Sequence, residues 1–178
     1  MSPVSAILNL IDLTSDFPHI PPACGESLAQ AIAVSLKSQG HTSGTVLKIN
    51  GLFKKTFAIC WTVSVTEAVL RYWNDPDEAV EQAACGIAIL LMRSLTGYTV
   101  IERARRGTGF DWWLGSEDDL FQAKARLEVS GILRGTPRRL NSRVKEKLEQ
   151  TRRSDQSTLP AYVVVIEFGA PQGRVVLR

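Results

Sequence analysis

Asp111, Glu128 and Glu81 are the residues of this chain best suited to chemistry. Asp111 follows a Gly107-Thr108-Gly109 turn, and Glu128 comes 17 positions later in the run Ala125-Arg126-Leu127-Glu128-Val129-Ser130. If both segments are strands of one antiparallel pair, about 4.8 Å apart, the two carboxylates can face one another and share a hard cation. Glu81 is the third acid, at helical spacing with Ala84, Cys85 and Ala88, a small-residue face expected to pack on a sheet and to turn Glu81 toward it. Carboxylates, a backbone carbonyl and waters form the ligand set that Mg²⁺ takes. Such an ion activates water and stabilises an in-line phosphoryl displacement. The expected reaction is therefore metal-assisted phosphodiester hydrolysis, although each acid also has a plain reading as a solvated helix, turn or strand residue.

Other chemistries have less support. Cys24, Cys60 and Cys85 stand 36 and 25 positions apart, and the histidines are His19 and His41. That spacing forms no zinc cluster, and an odd cysteine count is unlike a disulfide framework, so the cysteines are expected to be buried structural residues. The chain has no GxSxG elbow, Walker loop, GxGxxG or internal repeat, which argues against serine hydrolase and nucleotide-cofactor chemistry.

The elements that must position these acids follow from pattern. The 178 residues, 44% hydrophobic and 22% charged, suit one ordinary globular unit. Glu26 to Ser38 has helical spacing, and two β-rich runs on either side of Asn50-Gly51 predict a hairpin. Thr66 to Trp73 is compatible with a short helix. Asp75-Pro76-Asp77-Glu78 supplies an N-cap, a proline at the first helical position and early acids, opening a helix expected to stop before Gly97. Strands are expected over 98–106, 110–114 and 126–133. Asn141 is a candidate cap for a helix over 142–153, Ala161 to Phe168 reads as a strand buried on both faces, and Gly173 to Arg178 as an edge strand.

The order from Asp75 onward is helix, three strands, helix, strand. With Glu81, the turn Gly107-Thr108-Gly109-Phe110-Asp111 and Glu128-Val129-Ser130 in these places, the chain resembles the PD-(D/E)xK nuclease superfamily. Within it, the pattern is similar to archaeal Holliday junction resolvases. The resemblance spans Asp75 to Phe168. It implies an α/β fold with a small mixed central sheet flanked by helices, the restriction-endonuclease-like α-β-β-β-α-β core over 75–178. A helix and β-hairpin extension would occupy 1–74, the whole forming one compact unit. It also implies Mg²⁺ or Mn²⁺ at Asp111 and Glu128 with help from Glu81, and a homodimer or larger complex. The family lysine is replaced by Ser130. Lys145 or Lys147, on the following helix, would have to substitute for it; Arg143 and Lys147 share a face of that helix, as do Lys147 and Gln150.

Charge points the same way. Residues 1–80 carry five basic and seven acidic side chains, whereas 124–153 carry ten and three. Arg134, Arg138, Arg139, Arg143, Arg152 and Arg153 in that second stretch are expected to contact nucleic acid phosphates. The expected function is Mg²⁺-dependent cleavage of DNA, or of RNA. The competing reading is an inactive nuclease-like scaffold serving as a binding subunit of a complex, and a third is a small-molecule-binding α/β domain. The N-terminus lacks a basic leader segment, and no apolar run approaches the roughly 18 to 20 residues of a membrane helix, so a cytoplasmic, membrane-free protein is expected.

Overall fold

The computed structural model describes residues 4–15, 19–119 and 122–178. It is a mixed α/β protein, with one eight-stranded mixed sheet and four α-helices among the described residues. The strands are β1 (Ala6–Asn9), β2 (Thr45–Gly51), β3 (Lys55–Cys60), β4 (Thr99–Arg103), β5 (Trp112–Gly115), β6 (Ala125–Ile132), β7 (Ala161–Glu167) and β8 (Gln172–Leu177). The helices are α1 (Pro22–Ser38), α2 (Glu67–Tyr72), α3 (Pro76–Thr96) and α4 (Pro137–Gln150). The spatial order is β1-β3-β2-β8-β7-β6-β5-β4. Strands β4, β5 and β6 form an antiparallel meander; α4 then carries the chain across to β7, which pairs parallel to β6. A parallel neighbour requires such a crossover.

Helices cover both faces. Leu127 and Val129 of β6, with Val164 and Ile166 of β7, join the main core beneath α1 and α3. The alternate residues Ile132, Val163 and Val165 pack with Leu140 and Val144 of α4 in a second, smaller core. Period-two alternation therefore directs Glu128 and Ser130 toward α4. Helix α3 is long and apolar enough to cross a membrane, but most of it is buried within the protein. Asp75 opens it as expected, accepting hydrogen bonds from the Asp77 and Glu78 amides at 2.9 and 3.4 Å.

Several expectations need correction. The sheet is not small, because β8 is not an edge strand: it lies between β7 and β2, and its parallel pairing with β2 joins the N-terminal hairpin to the rest. Asn50 and Gly51 are not the hairpin turn. They pair with Arg174 and Val175, and the chain reverses over the next few residues. Helix α4 begins five residues earlier than Asn141 suggested. Thr136 caps it, its hydroxyl accepting from the Arg139 amide at 3.2 Å, and Pro137 occupies the first turn. Strand β1, in the loosely patterned N-terminal stretch, adds parallel to β3.

Candidate active site

The site lies where β5 and β6 part. Strand β6 pairs with β7 from Arg126 to Ile132, whereas β5 accompanies it only as far as Leu127. Asp111 continues the ladder for one more step. Its amide donates to the Leu127 carbonyl at 2.8 Å, and its Oδ2 accepts from the Val129 amide at 2.8 Å, a donor that a longer β5 would have engaged. Beyond Val129 that edge of β6 is uncovered, and alternation directs the Val129 carbonyl toward it.

Two glycines allow this geometry. Gly109 has φ +85°, and a Cβ there would come within 2.4 Å of the Gln150 carbonyl, so the turn before Asp111 can lie directly against the end of α4. A Cβ on Gly131 would stand 2.4 Å from the Val80 carbonyl, so α3 approaches the open edge closely from the other side. The result is a cleft of about 630 Å³ floored by Val129 to Leu133 and walled by α3 and α4.

Glu128 is only 1% exposed. Its Oε1 accepts from Lys147 Nζ at 2.7 Å and from Gln150 Nε2 at 2.9 Å, and Lys147 also donates to Gln150 Oε1 at 3.0 Å. Its Oε2 is buried, with no hydrogen-bond partner among the described residues. Burial, then the neighbouring Asp111 charge, push its carboxyl up to about 7 against the opposing pull of Lys147. Asp111 is also raised, chiefly by burial, while the Val129 amide and Lys147 hold it back. One step along β6, Ser130 Oγ accepts from Arg143 at 2.9 Å. Glu128–Lys147 and Ser130–Arg143 are thus two rungs between β6 and α4. Two strand residues advance about 6.6 Å and one helical turn about 5.4 Å, so the two elements stay nearly in step.

The predicted residues divide accordingly. Asp111 and Glu128 come together, and Lys147 reaches them. Glu81 does not turn into the sheet: it is exposed and faces the cleft, because α3 here lies over the open edge of β6 rather than over a paired strand. Among the described residues no group of three His, Cys, Asp or Glu side chains is close enough to enclose a metal. Lys145 is exposed, two residues and about 200° around α4 from the face bearing Arg143 and Lys147, and does not approach the acids. Arg134, Arg139 and Arg143 line the cleft. Arg138 is exposed on the first turn of α4, and Arg152, paired with Glu149 at 2.6 Å, lines a separate depression with Arg153.

Cys85 lies near Asp111 and Glu81, and desolvation together with those charges raises its thiol to about 12, which disfavours a thiolate nucleophile. Cys24, expected to be buried, is exposed. Two contributors escaped sequence reasoning. Arg103 projects over the Trp112 ring at 5.4 Å and lowers the Asp111 carboxyl. Glu167 is buried at the end of β7 and accepts from the Gly135, Gly169 and Ala170 amides at 3.2, 2.8 and 3.0 Å, fixing the loop that carries Arg134. An acid closing an apolar strand before Gly169 was the available signal. No protein-family model, curated protein or solved structure matches this chain.

Proposed function

We propose that the chain is a divalent-metal-dependent nuclease on a restriction-endonuclease-like core, with Lys147 replacing the lysine absent at position 130. The helix, three-strand, helix, strand succession from α3 to β7 supports this reading. The observation that carries it is Glu128: one oxygen is engaged by Lys147 and Gln150, and the other is buried without a donor beside a second carboxylate. A shared proton or a cation satisfies that arrangement, whereas a purely structural carboxylate would have donors on both oxygens. The donor set fits Mg²⁺ or Mn²⁺: Asp111 and Glu128 would hold the ion, with the remaining positions open to waters and phosphate oxygens. Glu81, which lines the α3 wall of the cleft, would act through water.

An ion held by Asp111 and Glu128 would supply activation of water and offset charge building on the phosphate. Lys147 has three N–H donors and uses two on Glu128 and Gln150, leaving the third to orient the attacking water or a phosphate oxygen. Arg143, held on Ser130, adds positive charge one rung further along, where it opposes the charge of the pentavalent transition state. Water forms the new P–O bond and gives up a proton to solvent as the ester P–O bond breaks, and the leaving oxygen takes up a proton from solvent.

Labelled single- and double-stranded DNA and RNA, incubated with Mn²⁺ or Mg²⁺ and separately with EDTA, test the proposal. Metal-dependent cleavage that falls at least about 100-fold in both Asp111→Asn and Glu128→Gln is expected. Undiminished cleavage by both variants overturns it. So does the absence of cleavage of every substrate together with no Mn²⁺ uptake in calorimetry, and that outcome favours the inactive scaffold.

A further inference from the structure

We infer that the cleft contains a second anion subsite, formed by Arg134, Arg139 and Arg143, that takes the terminal phosphate monoester of a nucleic acid strand. The inference rests on the nuclease reading for the identity of the strand, but the subsite stands on its own observations.

Three guanidinium groups converge on one concavity, and each is anchored in a way that leaves donors available. Arg134 Nε donates to Gln39 Oε1 at 3.1 Å. Arg139 donates to the Arg134 carbonyl at 3.1 Å. Arg143 divides its bonds between Ser130 Oγ at 2.9 Å and Glu146 at 3.2 Å. A guanidinium has five N–H donors, so these contacts orient the groups without exhausting them. The loop carrying Arg134 is itself held through the Gly135 amide, which donates to buried Glu167, a carboxylate fixed in turn by the Gly169 and Ala170 amides. The subsite is therefore built in advance of any ligand.

Its electrostatics are unfavourable until an anion is present. The first turn of α4 has no acid and carries Arg138 and Arg139, cations at the end of a helix where the dipole favours negative charge. Arg139 is tied to the backbone of Arg134, so two like charges are kept in one neighbourhood. A bound anion offsets both penalties.

Charge balance selects the kind of phosphate. Of the four cations lining the cleft, Lys147 pairs with Glu128 and Arg143 with Glu146, so Arg134 and Arg139 supply the two positive charges not matched by an ion pair among the described residues, while Asp77 and Glu81 line the opposite, α3 wall. An internal phosphodiester brings a single negative charge. A terminal monoester brings about −1.5 to −2 near pH 7, with three acceptor oxygens for forked donors. Ser130 and Lys147 border both this subsite and the carboxylate pair, so a strand end anchored among the arginines reaches the acids with a nearby internucleotide linkage.

Fluorescence anisotropy of wild-type protein in EDTA, which prevents cleavage, reads the subsite directly. The probes are one single-stranded oligodeoxynucleotide sequence with a 5′-phosphate, with a 3′-phosphate, or with hydroxyls at both ends. One phosphorylated form is expected to bind at least tenfold more tightly than the hydroxyl form, and which one identifies the end recognised. Arg134→Ala combined with Arg139→Ala, both exposed positions, should erase the difference while leaving the melting temperature nearly unchanged. Equal binding of all three probes overturns the subsite, as does a preference that survives in the double variant. End preference with neither metal-dependent cleavage nor Mn²⁺ uptake keeps the subsite and overturns the nuclease; cleavage without end preference does the reverse.

Discussion

Glu128 and Glu167 are buried glutamates on adjacent parallel strands, both 1% exposed, yet they are solvated by the protein in opposite ways. Glu167 has donors on both oxygens: the Gly135 and Gly169 amides on Oε1, and the Ala170 amide and Gln172 Nε2 on Oε2. Its charge is stabilised by fixed backbone dipoles that cannot leave. Glu128 has the Lys147 ammonium and the Gln150 amide on one oxygen, a second carboxylate nearby and, among the described residues, no donor on the other oxygen. A carboxylate completed by the protein holds a loop in place, whereas one left incomplete beside a cleft has capacity for a ligand. Burial alone does not separate the two; the count and kind of donors does.

Exchanging each acid for its amide is the strongest way to break this contrast. Glu128→Gln should lower metal-dependent cleavage by at least about 100-fold, whereas Glu167→Gln, assayed below its melting temperature, should retain turnover within about tenfold, because it alters a support and not a ligand. Equal losses in both would mean that the two acids do the same job.

Stability should move in the opposite sense. Glu167→Gln replaces an acceptor oxygen by an NH₂ facing backbone donors, and urea unfolding should report a loss of about 2 to 4 kcal/mol. Glu128 behaves otherwise because its carboxyl rises from the usual 4.5 to about 7. The folded protein thus binds that proton more tightly than the unfolded chain. The resulting stabilisation is fully present below pH 4.5 and is lost as pH rises to about 7, a change on the order of 3 kcal/mol. Unfolding of metal-free wild type from pH 4.5 to 8 should show this decline. Glu128→Gln should flatten it, and Mn²⁺ should reverse it at pH 8. A pH-independent wild-type stability would sink the assignment of Glu128 as the uncompensated acid.

Much of this geometry was readable in residue order. Asp75-Pro76 announced α3, alternation around Leu127 and Val129 announced β6, and the Gly107-Thr108-Gly109 turn located Asp111, since each depends on neighbours within a few residues. What was not readable depends on contacts distant in sequence. β8 became internal because β2, over 120 residues earlier, pairs with it. Glu81 ended at a cleft because β5 begins only at Trp112, opposite Leu127, leaving the β6 edge beyond Val129 bare. The choice between Lys145 and Lys147 awaited the start of α4 at Pro137 and the burial of Leu140 and Val144, which set the helix's rotation about its axis.

Lys147→Met sharpens the contrast from the cation's side. It removes the ammonium that keeps Glu128 from rising further, so cleavage should fall about 10- to 100-fold. Stability at pH 8 should fall by about 1 to 3 kcal/mol, with a smaller change at pH 5, where Glu128 carries a proton in either protein. A loss of the same size at both pH values would mean that Lys147 acts through packing rather than through charge.

The smallest expected effect belongs to Lys145→Ala. Lys145 carries the same charge two residues before Lys147, so a site that used α4 only as a source of positive potential would respond to either substitution. The structure places Lys145 in solvent, on the side of the helix away from Leu140 and Val144. Its loss should change unfolding by less than about 0.5 kcal/mol and cleavage by less than twofold at moderate salt, where exposed charges are screened within about 10 Å. A decrease matching that of Lys147→Met would show that the helix contributes a diffuse field, and the direct contact with Glu128 would lose its claim to function.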